Sequence, residues 1–180
     1  MEAIIEFIKI LVPASVVLFG AFWIVKMFIT KEIELKRLDV RARFIKAVLP
    51  TRLTAYERMT IFLERMAPQS LLMRVSQEIQ LPEGVTMPAT VFHSMLLAEV
   101  RREFDHNVAQ QVYISETVWG LIKNAKEDLI MTINDAAGDL HPDATALDLS
   151  KMVFEKAVNK NIDPLAHALS ELKKEIQVIF

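Results

Sequence analysis

Residues 10–46 read ILVPASVVLFGAFWIVKMFITKEIELKRLDVRARFIK, an apolar run that turns basic without a break. No residue from Ile10 to Val25 is charged; Lys9 and Lys26 flank that run, and Met27, Phe28 and Ile29 extend it. At about 1.5 Å per residue, a helix over Ile10–Ile29 spans roughly 30 Å, the thickness of a bilayer's hydrocarbon core. Lys9 and Lys26 can carry their ammonium groups to the interface. Pro13 falls in the first turns of the run, where a missing backbone donor does least harm. The expectation is a retained transmembrane helix. A cleaved signal peptide would have a basic start, a shorter apolar core and a small-x-small cleavage site. Here Glu2 and Glu6 stand at the start, and no such site precedes Lys31. A buried core helix is the other alternative.

Charge divides the rest of the chain. Residues 31–52 hold seven Lys/Arg against Glu32, Glu34 and Asp39, an excess of +4. Residues 53–180 hold twelve Lys/Arg against eighteen Asp/Glu, an excess of −6. Under the positive-inside rule the cations after the span, among them Lys31, Lys36 and Arg37, place residues from Lys31 onward on the cytoplasmic side. The expected location is a bacterial inner membrane, with the N-terminus outside and lipid as a partner. A basic collar ahead of an acidic body is not a nucleic-acid footprint, which would place the cations on the domain itself.

Composition narrows the chemistry. The 180 residues are 52% hydrophobic, with no cysteine and four glycines. Disulfides, thiolate metal sites and cysteine nucleophiles are excluded. Few glycines and no period-2 alternation argue for helices over sheet. No N-x-S/T sequon occurs, which fits a cytoplasmic body.

Written as heptads, Ala14, Val17, Ala21, Ile24, Phe28, Lys31, Leu35, Leu38, Ala42, Ile45 and Leu49 share one seam. One helix can therefore run from the span to about residue 48. A parallel homodimer through that seam sets Glu34 against Asp39 and Arg41 against Lys46, two like-charged pairs, so it is not favoured. Packing of the seam on the protein's own body is the leading reading, and a different membrane protein is the next.

Leu49-Pro50 is expected to end this stalk. Thr54-x-x-Glu57 has a capping-box pattern for a helix to Met66. Ala67–Ser70 reads as a break, Leu71–Gln80 as a short helix and Leu81–Gly84 as a turn. Thr86 caps a helix to about Val112, and Ser115 caps one closed by Gly138 and Pro142. Asp143 or Thr145 starts another to about Asn159. Asp163-Pro164, an N-cap followed by proline at the first helical position, starts the last, which runs nearly to the terminus. The fold class is all-α. Residues 1–30 form a transmembrane anchor, 31–49 a basic stalk, and 50–180 a compact acidic bundle of about five helices.

Sites for chemistry are sparse. Glu99, Glu103 and His106 share a helical face, and di-iron bundles use two Glu-x-x-His steps plus two more glutamates. Only one copy exists, and Arg101 and Arg102 sit beside it, so a solvated or salt-bridged face is the leading reading. His93, His141 and His167 are scattered singly. Trp119, Phe104, Tyr113 and Tyr56 read as core or interface before they read as a ligand box. No phosphate loop, dinucleotide fingerprint, zincin or EF-hand pattern is present. No catalytic residue and no cofactor is expected.

The stretches TAYERMTIFLERMAP (54–68), EVRREFDHNVAQQVYIS (99–115) and WGLIKNAKEDLIMTIN (119–134) resemble an uncharacterised family of small bacterial proteins. The most specific residues are Tyr56-Glu57-Arg58, Glu103-x-Asp105-His106-Asn107 and Trp119 to Asp128. The resemblance implies one N-terminal membrane helix, a helical cytoplasmic domain and no assigned activity. It also draws attention to Asp105, His106, Asn107, Gln110 and Gln111 as a polar network or docking surface.

The expectation for function is a non-enzymatic, membrane-anchored scaffold or accessory subunit of an inner-membrane complex. It would meet another membrane or cytoplasmic protein through Leu35, Leu38 and Ile45 and through the Arg101–Gln111 face. The alternatives are a metal-dependent bundle enzyme using Glu99, Glu103 and His106, and a sensor of anionic lipid built on residues 31–52, where each cation near the surface is worth about 1 kcal/mol.

Overall fold

The computed structural model describes residues 2–79 and 86–178, and the side chains of all of these except 2–7 and 10. Among them are six α-helices and one 3-10 turn, with no strand: α1 (Glu2–Met66), α2 (Pro68–Gln77), α3 (Ala89–Asn107), a 3-10 segment (Val108–Tyr113), α4 (Glu116–Gly138), α5 (Ala146–Val158) and α6 (Pro164–Gln177). The chain is all-α. By contacts it divides into two units, 1–50 and 51–180.

In the first unit the apolar run is helical throughout, and among the described residues one helix is long and apolar enough to cross a membrane. Its most apolar eighteen residues have a mean hydropathy of 2.0, and none of that window is buried. A core helix of a water-soluble fold would hide such a face, and within this unit nothing covers it.

The stalk does not stop at Leu49-Pro50: α1 continues through Pro50, and Thr54 lies inside it rather than capping it. A proline inside a helix costs about 3 kcal/mol. Breaking there and restarting would need a new helical nucleus, at a probability of roughly 0.001, or about 4 kcal/mol. Continuing is the cheaper course.

The second unit is built on one apolar cluster. The 51–66 stretch of α1 contributes Tyr56, Met59, Phe62, Leu63 and Met66, all at most 2% exposed. Leu71 and Val75 of α2, Phe92 and Leu96 of α3, Ile122 and Ile133 of α4, Leu149 and Val153 of α5 and Leu172 of α6 complete it. α4 packs on α3, α5 and α6, while α3 also meets α5 and α2. Each buried large side chain contributes about 1.5–3 kcal/mol, which is why helices of 10–23 residues persist.

Local signals place most helix starts. Ser115 accepts from the Val118 N–H, Thr145 and Asp148 form a reciprocal capping box, and Asp163 accepts from Leu165 and Ala166 N–H. The capping box also holds the Asp148 carboxyl below its usual range, through hydrogen bonds from the Thr145 backbone and hydroxyl.

Other boundaries move for tertiary reasons. Ala67 alone separates α1 from α2, because Pro68 serves as the first residue of α2 and ends no helix. α3 starts at Ala89 instead of Thr86: Pro88 stands as its N-cap in extended backbone (φ −61°, ψ 142°), and a residue before proline, here Met87, is disfavoured in a helix. The freed groups cross to another segment: Ala89 N–H donates to Ala144 O at 2.9 Å and Ala146 N–H to Met87 O at 2.9 Å, an antiparallel bridge. The same helix ends at Asn107, not Val112, and tightens into the 3-10 segment. There the Asn107 amide donates to Glu103 O at 2.8 Å and takes over a last-turn carbonyl. The expected turn at Leu81–Gly84 lies outside the described residues.

Candidate functional site

The polar residues singled out on α3 form a tight ionic cluster with α1 and α2. Glu99 is 4% exposed and lies against Arg74 of α2 and Arg102 one turn along its own helix. Glu103 accepts from Arg65 Nε at 2.9 Å and Nη2 at 2.5 Å, with Arg74 at 3.6 Å. Arg102 also approaches Glu78 at 3.8 Å. Burial, then the neighbouring Arg65, lowers the Arg74 pKa, while Glu103 and Glu78 raise it; a guanidinium nevertheless stays charged. A carboxylate taken this far out of water needs such partners, since stripping one away costs about 3–5 kcal/mol.

The salt-bridged reading of this face is therefore the observed one, with partners the sequence did not suggest. Arg102 takes part, but Arg101 is exposed and holds neither carboxylate. Arg65 and Arg74 lie 38 and 25–29 residues from their acids, beyond any local periodicity. Glu99 and Glu103 face guanidiniums, while His106 turns to Arg58, whose Nη2 lies 3.3 Å from its Nε2. Among the described residues no three His, Asp or Glu side chains converge as metal ligands.

The docking candidates separate as well. Leu35, Leu38 and Ile45 are exposed, as are Arg101, Arg102, Asp105, His106 and Gln111, and Gln110 is half-buried. Asn107 is 6% exposed and spends its amide on the helix end, so it is unavailable to a partner. The flanking cations Lys9, Lys26, Lys31, Lys36 and Arg37 are all exposed, with Lys36 paired to Glu32 at 2.8 Å.

Of the aromatic set, Trp119 and Tyr56 are core and Phe104 packs against it, while Tyr113 is half-buried outside the cluster. Trp119 stacks on Phe104 with centroids 5.4 Å apart, Phe62 meets Phe104 edge-on at 6.1 Å, and Lys126 lies 4.4 Å over the Phe104 ring. Tyr56 belongs to a second polar network. Its hydroxyl donates to Glu175 Oε1 at 2.6 Å and accepts from Arg52 at 3.2 Å. Ser115 donates to the same carboxylate through its N–H at 2.9 Å and its hydroxyl. Burial works against ionisation of Glu175, but the Ser115 and Tyr56 bonds outweigh it and hold that carboxyl below its usual range. Burial, then the bond to Glu175, raises the Tyr56 phenol. The network ties α6 to α1 and to the start of α4.

A third cluster gave no sequence signal. Lys160 donates to Asp128 Oδ2 at 2.5 Å and Thr132 Oγ1 at 2.6 Å. They line a cleft of about 350 Å³ walled by Leu129, Phe154, Val158 and Leu165. In each of these networks fixed charges and hydroxyls are spent on one another, which joins helices.

No curated protein and no solved structure matches the chain. One family model does, over residues 2–179. The chain belongs to that family, DUF7935, a family of unknown function.

Proposed function

We propose that this protein is a membrane-anchored adaptor or accessory subunit, held by residues 10–29 in an inner membrane with its helical body on the cytoplasmic side. The observation that carries the reading is the exposed apolar run, which has no polar face to offer to water. Val17, Leu18, Phe19, Phe22 and Ile24 are 62–72% exposed. At about 25 cal/mol per Å², leaving that many large apolar side chains in water costs many kcal/mol. A bilayer removes the cost, and the cations that follow orient the helix. Docking is the role this arrangement supports best, because the polar clusters of the body serve helix–helix joints and the exposed face at Arg101, Arg102 and Asp105 remains accessible.

The metal-enzyme alternative is weakened by geometry, since Glu99 and Glu103 already face three arginines. The lipid-sensing alternative is narrowed. Along a continuous helix Arg41 and Arg43 lie about 18 and 21 Å past Ile29, beyond a headgroup layer of roughly 5–8 Å.

Carbonate washing of membranes, with mass measurement of the retained chain, tests the anchor. The intact chain should stay in the pellet; release into the wash, or a chain shortened past residue 30, overturns it. A crosslinked pull-down from gently solubilised membranes tests the docking role. Recovery of this chain with no other protein at every crosslinker level would count against an adaptor.

A further inference from the structure

The stretch of α1 that follows the apolar run carries two apolar faces. At about 100° per residue, Ile33, Val40 and Phe44 fall within roughly 40° of one another. Leu35, Leu38, Ala42 and Ile45 fall within roughly 80° on the opposite side. The large side chains on both faces are 49–67% exposed. Val40 and Phe44 lie about 16 and 22 Å along the axis from Ile29, too far for lipid to cover. A single neighbouring helix covers one face only. Two opposite faces ask for two neighbours.

The charges beside the two faces differ. Lys36 and Arg37 border the Ile33–Val40–Phe44 face. Glu34 lies on one edge of the Leu35–Leu38–Ile45 face, and Asp39 and Lys46 on the other. Arg41 falls between the faces. Set two copies parallel and level, the first face of one against the second face of the next. Arg37 then comes opposite Glu34 of the neighbouring copy, and Lys36 opposite its Asp39, each with an axial offset of about 4.5 Å. Two like-charged approaches accompany them, Arg43 to Lys46 at the same offset and Arg37 to the neighbour's Arg41 at about 6 Å; within each helix Arg43 pairs with Asp39 at 2.9 Å and Lys36 with Glu32 at 2.8 Å. A two-fold dimer through the second face has the reverse character, opposing Glu34 to Asp39 and Arg41 to Lys46.

We infer that residues 33–45 hold several copies of this chain side by side, each giving its Ile33–Val40–Phe44 face to the Leu35–Leu38–Ile45 face of the next. A contact between two different surfaces leaves one of each free at every step. It therefore continues past two chains, into a ring where the rotation closes and into an open row where it does not. The inference rests on the anchor proposed above, which makes the copies parallel and level.

The chain has no cysteine, so introduced thiols report alone. In full-length protein in native membranes, the double variant Val40→Cys/Ala42→Cys puts one thiol on each face. Residues two apart on a helix point away from each other and do not bond internally. Facing positions on helices 8–10 Å apart, by contrast, come within disulfide reach. Under mild oxidation the double variant should give a ladder of dimers, trimers and larger species, and each single variant should stay monomeric. A dimer from either single variant would replace this arrangement with a two-fold pair. Monomer from the double variant would overturn self-association and leave the faces to another protein or to the chain's own body. In the double-cysteine background, Arg37→Glu should weaken the trimer and larger bands at least fivefold, and adding Glu34→Arg should restore them; unchanged bands in Arg37→Glu would overturn the charge register. Carbonate washing of the same samples separates the two failures. Chain in the wash sinks the anchor, whereas retained chain without a ladder sinks only the inference.

Discussion

Residues 11–29 and residues 55–66 belong to the same helix, and both are crowded with large apolar side chains. In the second stretch Tyr56, Met59, Phe62, Leu63 and Met66 share one stripe and are almost wholly buried, with Glu57, Glu64 and Ile61 exposed between them. In the first the apolar residues go all the way round, and every described one is at least 50% exposed among the large side chains from Leu11 to Ile29. Hydrophobic content does not separate the two; angular arrangement does. A stripe can be covered by neighbouring helices while its back meets water. A helix that is apolar on every side has no back to wet, and calls for a solvent that is not water.

The largest test of this contrast is to give the first stretch a charge it cannot hide. Leu18→Arg with Phe22→Arg adds about 2.5–3.5 kcal/mol per arginine at the centre of a bilayer. The double variant should move from the pellet to the carbonate wash, while melting of the body is unchanged. Next is a matched pair of aromatic truncations. Phe62→Ala should destabilise the body by about 3–5 kcal/mol in urea unfolding, and Phe22→Ala should leave that transition where it is. Equal effects would erase the distinction between the two stretches.

Two smaller effects sharpen the account of the body itself. Glu99→Ala leaves Arg74 and Arg102 without their common carboxylate and should cost about 3 kcal/mol, against no more than about 0.5 kcal/mol for Arg101→Ala. The smallest effect is at Glu175. Three hydrogen bonds depress its folded pKa, so its contribution is fully present above the unfolded value near 4.3–4.5 and is lost as pH falls through the lower folded value. Glu175→Gln should cost about 1–2 kcal/mol at neutral pH and flatten the stability profile below about pH 4.5. An unaltered acid profile would mean that the carboxylate does not latch α6.

Ser115, Thr145 and Asp163-Pro164 were legible as helix starts because capping is a contact between residues two or three apart, so the signal sits within one short window. Pro50 and Thr54 misled for the same reason in reverse. Each carries a local signal of a boundary, but the cost of restarting a helix is not written in any one residue. Thr86 lost its place as a cap to a bridge between Pro88 and Thr145, 57 residues apart. The acidic face of α3 was visible as a spacing. Its arginines were not, because Arg65 and Arg74 reach it only when three helices pack.

The amino-acid sequence by itself determined the all-α class, the uncharged run from Ile10 to Val25 and the change of charge from collar to body, since composition and 3.6-residue periodicity are properties of contiguous chain. Only the tertiary structure decided which carboxylates are buried, that Arg65 and Arg74 hold them and that Lys160 closes on Asp128. Those are pairings between distant residues, and the desolvation that makes each pairing necessary exists only once the helices have come together.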